Sequence, residues 1–427
     1  MRNLEKWKEI ISDGTLDGEI IRLYGEKDIN RKRYIAALDG YEQYFANGNG
    51  REIMIFTAPG RTEIGGNHTD HQHGRVLAGS VNLDIIGIVS LNGTNTVRIK
   101  SEGYPEDAVD ITDLCVHPEE KNRSSSLIRG VLARFAQMGC GLQGFDAYTV
   151  STVLKGSGLS SSAAFEVLIG SIVNDLFNGG NASPVEIAQI GQFAEREYFG
   201  KPSGLMDQTA SSVGNMVTID FENTENPIVE QVHFDFSKSG HALCIIDSGA
   251  DHADLTDEYA AVTNELKLIC GFFGKKVLRE IPREDVMANI AQLRKIAGDR
   301  AVLRAVHFYD DNDRVPMQVE ALKNNDFERF LKLVSESGRS SWMYLQNVIP
   351  AGYTEHQDVA LALMLCDKLL NGRGAYRVHG GGFAGTVQAF VPLDILDGFK
   401  NGIESVLGKD SCHVLMIRPE GHYRIEI

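Results

Sequence analysis

The sequence predicts an α+β protein of two lobes with a cleft between them. Short strands rich in β-branched or aromatic residues interleave with amphipathic helical runs in both halves, and glycine-dense loops fall at the boundaries between them. The length of 427 residues allows about two to three domains of ordinary size. A hydrophobic content of 43% is ample for a real core. We place the first lobe at residues 1–214 and the second at 215–427.

Residues 1–50 read as two short helical pieces with a polar break at Asn47 to Gly50. IMIFTA at 53–58 reads as a buried strand, and VRIKSEG and AYTVST as two more. Leu127 to Met138 is helical. A second helix follows Ser160, with Ala164, Leu168, Ile172 and Leu176 one turn apart and Asn178, Gly179 and Gly180 as its stop. Residues 183–199 form a third, with Ser183 as cap, Pro184 first, Glu186 completing a capping box and Gly200 at the end. From about 215 come strands NMVTIDF and ALCIID, then a helix-rich region from about 255 to 370, and finally strands YRVHG, GTVQAFV and HVLMIRP.

Forty-two basic against 58 acidic residues give a net charge of −16, which excludes the basic footprint that non-specific nucleic-acid or anionic-membrane binding needs. A nucleotide carried with Mg²⁺ remains compatible, because backbone amides and a few cations suffice locally. The six cysteines are scattered with no CxxC pair, so neither a zinc site nor a disulfide framework is expected. MRNLEKWKEIISDG lacks the apolar core of a signal peptide, and no long apolar run occurs elsewhere. A soluble cytosolic protein is expected.

Four segments carry candidate chemistry. In GSGLSSSAAF, residues 156–165, small residues let the main chain approach an anion at the positive end of a new helix. No GK(S/T) closes this loop, so it is not a Walker A site; its plain alternative is a serine-capped turn. APGRTEIGGNHTDHQHG at 58–74 crowds Arg61, Glu63, His68, Asp70, His71 and His73 into a glycine-broken loop. These residues suit a polyhydroxylated ligand better than a metal, since their spacing matches no recognised cage. EREYFGKPSGLMDQ at 195–208 brings Asp207 to the start of a helical run, where an acidic residue can also merely answer the dipole. RVHGGGFAGT at 377–386 is a glycine turn between strands, and a tight β-turn is its bland reading.

With those residues laid out, the chain resembles the GHMP small-molecule kinase superfamily, and within it the galactokinase family most closely. APGR with Gly66, His68, Thr69 and Asp70 is similar to the family's signature APGRVNLIGEHTDY, and GSGLSSSAAFEV to the superfamily phosphate loop. GKPSGLMDQ and RVHGGGFAG resemble the segments holding the catalytic aspartate and the third superfamily motif. The resemblance implies an N-terminal lobe like domain 2 of ribosomal protein S5 and a ferredoxin-like C-terminal lobe. It also implies a sugar 1-kinase moving the γ-phosphate of ATP to the anomeric hydroxyl of galactose.

Asp207 would orient that hydroxyl and take its proton, and Arg61 would keep Asp207 ionised. Gly156, Ser157, Gly158, Leu159, Ser160, Ser161 and Ser162 would hold ATP, and Ser162 and Glu195 would hold Mg²⁺, a hard ion suited to oxygen donors. Asn67, His68, Asp70, Gly204 and Tyr259 would meet the sugar. The pattern departs at the sugar segment: the family's glutamate is Asn67, its asparagine is Glu63, its isoleucine is Gly65 and its tyrosine is His71. An amide offers one acceptor and one donor group where a carboxylate accepts twice, so one sugar contact is weakened or re-aimed. Restoring a carboxylate at 67 is expected to improve galactose use if its loss is a deficit. Two alternatives therefore stay open: another acceptor such as an N-acetylhexosamine or heptose, and a non-catalytic sugar sensor.

Overall fold

The first sheet is organised by a 17-residue strand that the sequence reading passed over. In the computed structural model, which describes residues 2–45, 50–154, 158–201, 203–249 and 255–426, β1 (Met54–Gly65) pairs antiparallel with β2 (Arg75–Leu91) along most of its length. Beyond β2 lie β5 (Phe145–Ser151), β3 (Thr96–Ser101) and β4 (Glu106–Asp110), with β3 and β5 the parallel pair. The lower half of β2 pairs instead with β6 (Met216–Asp220), which carries β7 (Ile228–Val232).

Period-two alternation buries both faces of this sheet. Met54, Phe56, Ile85 and Val89 face the main core, against the helices Ser124–Gln137 and Ser161–Asn178. Ile55, Ile86 and Ile88 face three N-terminal helices, Leu4–Ser12, Asp17–Tyr24 and Asp28–Tyr44, where two were expected. Most of the polar break expected at Asn47 to Gly50 lies outside the described residues.

One carboxylate pins these layers together. Asp84, fully buried in mid-strand, accepts from Tyr24 Oη at 2.6 Å, Arg33 Nη2 at 2.6 Å and Arg418 Nη1 at 3.0 Å, and also from Thr57 Oγ1. Helices, strand and C-terminal segment thus share one charge.

The helix Pro184–Phe193 begins with the expected capping box: the Ser183 hydroxyl accepts from Glu186 N, and the Glu186 carboxylate accepts from Ser183 N. Ser183→Ala is expected to cost about 1 kcal/mol in urea unfolding, the usual worth of an N-cap. Past Phe193 the turn widens to a π-helix, Ala194–Phe199, and Gly200 ends it at φ 88°. Gly200 N and Lys201 N both donate to Glu195 O at 3.0 Å. Such widened turns recur at functional sites because they re-aim a side chain; here it is Glu195.

The second sheet runs β11 (Cys412–Leu415), β8 (His241–Asp247), β10 (Thr386–Pro392), β9 (Ala375–Val378), all antiparallel. Chain order is β8, a helical region, β9, β10, helix Leu396–Leu407, β11. This is the ferredoxin-like β-α-β-β-α-β plan that the resemblance implies. Helices Asp358–Leu370 and Leu396–Leu407 cover one face, while Leu243, Ile245, Phe390 and Leu415 join the main core on the other.

The division placed at 214/215 does not match the sheets. β6 and β7 extend the first sheet beyond it, and β12 (Tyr423–Arg424) returns from the far end of the chain to pair with Phe56 and Thr57 of β1. Pairing with β2, not position along the chain, decides lobe membership. Among the described residues no helix is long and apolar enough to cross a membrane.

Candidate active site

Arg61 and Asp207, 146 positions apart, meet where β1 passes the entry of the helix Ser161–Asn178. Arg61 Nε donates to Asp207 Oδ1 at 2.8 Å and Arg61 Nη2 lies 2.7 Å from Oδ2, a two-pronged pair whose planar fork matches the carboxylate. The Ser160 hydroxyl donates to the same Oδ2 at 2.6 Å. Burial pushes the Asp207 pKa up, but the Arg61 charge and the Ser160 bond outweigh it and hold the carboxyl below its usual range. With 30% of its side chain exposed, Asp207 remains open to a ligand.

Arg61 also ties the pair to the phosphate-type loop. Its Nη1 donates to Gly158 O, and its backbone N donates to Leu159 O at 3.0 Å. Gly158 has φ 69°, and a Cβ on Gly60 would stand 2.8 Å from Leu159 O, so small residues are what let strand and loop close on each other. Ser160 itself is left-handed at φ 57°. Ser161 and Ser162, half-buried, occupy the first positions of the helix, where its N–H groups are free. Gly156 and Ser157 lie outside the described residues.

Glu195 is buried at the base of the same region. Its Oε1 accepts from Lys201 Nζ at 2.8 Å and its Oε2 from Gln208 Nε2 at 2.9 Å, which also reaches Glu166 Oε2 at 2.9 Å. The sequence reading gave Glu166 no role. Burial first and the Glu195 charge second push its pKa well up, and its buried Oε1 has no partner among the described residues. Glu195, with Glu166 held toward its neutral form behind it, offers carboxyl oxygens of the kind that suits a divalent cation completed by phosphate oxygens. Among the described residues no three His, Cys, Asp or Glu side chains converge as a protein-only cage.

The sugar-type segment forms the opposite wall. Asp70 Oδ1 accepts from His71 N at 2.9 Å, and its Oδ2 sits where a Cβ on Gly204 would approach to 2.8 Å. Glycine at 204 is what leaves that carboxylate its place. A cavity of about 990 Å³ borders Asp70, His71 and Gly204 from the side of Glu186, Phe193 and Arg196, and neither Arg61 nor Asp207 is in its lining. His68, at φ 58°, donates through Nε2 to Gly381 O at 2.9 Å, and burial with the neighbouring His71 keeps its pKa below the ordinary value. Tyr259 Oη donates to Gly382 O at 2.8 Å, its ring edge-on to Phe383. Both side chains thus brace the third glycine loop.

Asn67 is fully buried and wholly engaged by protein. Its Nδ2 donates to Glu63 Oε1 at 3.0 Å and Gly380 O at 2.7 Å, and its Oδ1 accepts from Ser341 Oγ at 3.1 Å and Asn347 Nδ2 at 2.9 Å. His379, also given no role from sequence, is buried between Thr62 Oγ1 at 3.0 Å and Thr386 Oγ1 at 2.8 Å. Burial and the Arg61 charge hold its ring neutral. Only its neighbours in the fold, not its place in the motif, mark it.

Phosphate-type loop, paired Arg and Asp, and two mixed lobes together define a GHMP kinase, and residues 126–215 match the family described as GHMP kinases N terminal domain. Residues 41–91 match the galactokinase galactose-binding signature. The galactokinase of Glaesserella parasuis serovar 5 (strain SH0165) is 31% identical over 369 residues, 84% of this chain and 90% of that one. The galactokinase of Streptomyces coelicolor (strain ATCC BAA-471 / A3(2) / M145) is 29% identical over 352 residues, 82% and 87% of the two chains. The chain belongs to the galactokinase family. Lactococcus lactis galactokinase complexed with galactose shares the fold with a TM-score of 0.76 at 24% identity, covering 92% of this chain and 100% of that one. A mevalonate kinase follows at a TM-score of 0.57 and 15% identity, covering 84% and 99%.

Proposed function

We propose that the protein transfers the γ-phosphoryl group of ATP to the anomeric hydroxyl of galactose, giving galactose 1-phosphate and ADP. The observation that carries this is the two-pronged Arg61–Asp207 pair, fastened to the phosphate-type loop on one side and following the Asp70–Gly204 wall on the other. The loop from Gly156 to Ser162 would present backbone amides to the phosphates. Asp70, with His68 and Tyr259 bracing the loop opposite it, would hold the sugar.

In the transfer, the C1 oxygen forms a bond to the γ-phosphorus as the bond to the β-phosphate bridging oxygen breaks. The hydroxyl proton passes to Asp207. A loose transfer needs little basicity and much alignment, so a carboxylate held below its usual pKa is adequate. Arg61 keeps Asp207 ionised and faces the charge that spreads over the equatorial oxygens. Ser160 fixes the second carboxylate oxygen, leaving one orientation for the acceptor. Ser162 and Glu195 would hold Mg²⁺, which when bound neutralises charge on the ATP phosphates.

The test is ADP release with Mg-ATP across a panel of free hexoses, N-acetylhexosamines and heptoses, with the product's phosphate position read by NMR. Galactose phosphorylated on carbon 1 is the expected result. Turnover of another sugar with galactose inert overturns the acceptor, and galactose binding without turnover overturns the reaction.

A further inference from the structure

Resting on that reading, we infer that Glu63, rather than Asn67, is the residue that accepts a hydroxyl hydrogen bond from the sugar, its carboxylate standing in for the glutamate found at position 67 in relatives. The two departures in the signature are one exchange: asparagine and glutamate have traded places across four residues. The structure shows why they travel together. Asn67 is completely buried, and its four side-chain bonds to Glu63, Gly380, Ser341 and Asn347 leave nothing for a ligand.

Glu63 is only half used. Arg377 Nη2 at 2.5 Å and Asn67 Nδ2 at 3.0 Å both bond Oε1. Its Oε2 takes no bond from the described residues, in a side chain of which 6% is exposed. The register Arg61↔Ser80, Thr62↔Gly79, Glu63↔Ala78 is unbroken, so Glu63 emerges on the same face of β1 as Arg61. Burial pushes the Glu63 pKa up, opposed first by the Arg377 charge and then by that of Arg61, which favour the ionised acceptor. A carboxylate with one oxygen clamped by a guanidinium and an amide, and the other unpartnered among the described residues on the strand face that carries Arg61, is a pre-aligned acceptor.

The Arg377 clamp also explains the exchange. Asn67 Nδ2 is directed at two acceptors, Glu63 Oε1 and Gly380 O. A carboxylate at 67 with Glu63 still present would set two acids side by side in a buried place, so that one must repel the other or take up a proton and cease to be an ionised acceptor. Asn67→Glu alone therefore weakens sugar binding instead of improving it.

The test measures galactose binding by calorimetry, and KM and kcat where turnover occurs, for the wild type, Glu63→Gln, Asn67→Glu and the exchange Glu63→Asn/Asn67→Glu. Glu63→Gln is expected to weaken galactose roughly ten- to hundredfold, as loss of a charged acceptor does, with KM for ATP within about twofold of wild type. Repeated with monodeoxygalactoses, the penalty should vanish for one of them, the one lacking the hydroxyl that Glu63 accepts. A merely structural Glu63 would penalise every analogue alike, and that result overturns the inference, as does unchanged galactose affinity in the variant. Should Glu63→Gln fold poorly, the exchange variant decides: binding restored above that of Asn67→Glu supports the inference, and binding no better overturns it. A wild type that binds galactose without phosphorylating it sinks the proposed reaction and leaves the Glu63 comparison readable; a wild type that does not bind it sinks both.

Discussion

Asp207→Asn is expected to lower kcat by about a hundred- to ten-thousandfold, the range over which a positioned proton acceptor acts, and to lower the melting temperature, since the buried Arg61 loses its charged partner. Coupled ADP release and a circular-dichroism melt read the two quantities. The carboxylate is where strand, loop and helix entry converge, through Arg61 at 2.8 Å and Ser160 at 2.6 Å. An amide keeps the shape but offers Arg61 one acceptor in place of two, and it has no charge to draw the sugar proton. The pH dependence follows from the direction of the Asp207 shift. Burial would raise its pKa, yet the opposing Arg61 charge wins and holds it below the ordinary range. Its contribution to stability is complete above about pH 4, the unfolded value, and is lost only as pH falls through the depressed folded one. Arg61→Gln removes the larger favourable charge, so the acid limb of kcat/KM should move upward. A limb that stays in place would mean that another group sets it.

Asp84→Ala is expected to cost about 3–5 kcal/mol in denaturant unfolding, because it strands buried cations instead of removing a surface pair. Arg418, fully buried, would lose its only carboxylate partner among the described residues, and Arg33, Tyr24 and Thr57 would lose an acceptor together. Burial pushes Asp84 up, but the two guanidiniums hold its pKa below the usual range, so the network persists above about pH 4 and yields only in stronger acid. A loss under about 1 kcal/mol, the scale of an exposed pair, would show that water reaches the site.

How much was legible in the sequence depended on whether a signal was local. The capping box at Ser183 and Glu186, the glycine stop after Asn178 and the serine-led helix at 161 were all readable, since each is a matter of neighbours along the chain. β2 was not, because Gly79, Asn82, Asp84 and Gly87 break the apolar alternation that marks a strand. Those breaks are the useful positions: Asp84 binds the layers, and the sheet turns from β5 toward β6 along the same strand. In the site, Arg61 and Asp207 were legible only through motifs, as no spacing rule joins residues so far apart. Glu166 and His379 carried no signal at all, their significance arising from what Gln208 and Thr62 bring beside them. Asn67 was singled out correctly as unusual, but its burial depends on Ser341 and Asn347, whose approach no local pattern announces.

The return of β12 to the edge of β1 has a consequence for biosynthesis. Tyr423 and Arg424 flank the strand that carries Arg61, Ile417 bridges to Val81, and Arg418 pairs with Asp84, so the opening lobe is finished by a segment synthesised long after it. Until then a nascent chain holds an unpaired strand edge and a buried carboxylate that lacks one of its two guanidiniums, both liabilities for a polypeptide waiting to close. Translation must therefore pass residue 424 before the strand that carries Arg61 is fully paired, and a chain broken upstream of that segment lacks the pieces that close the first lobe.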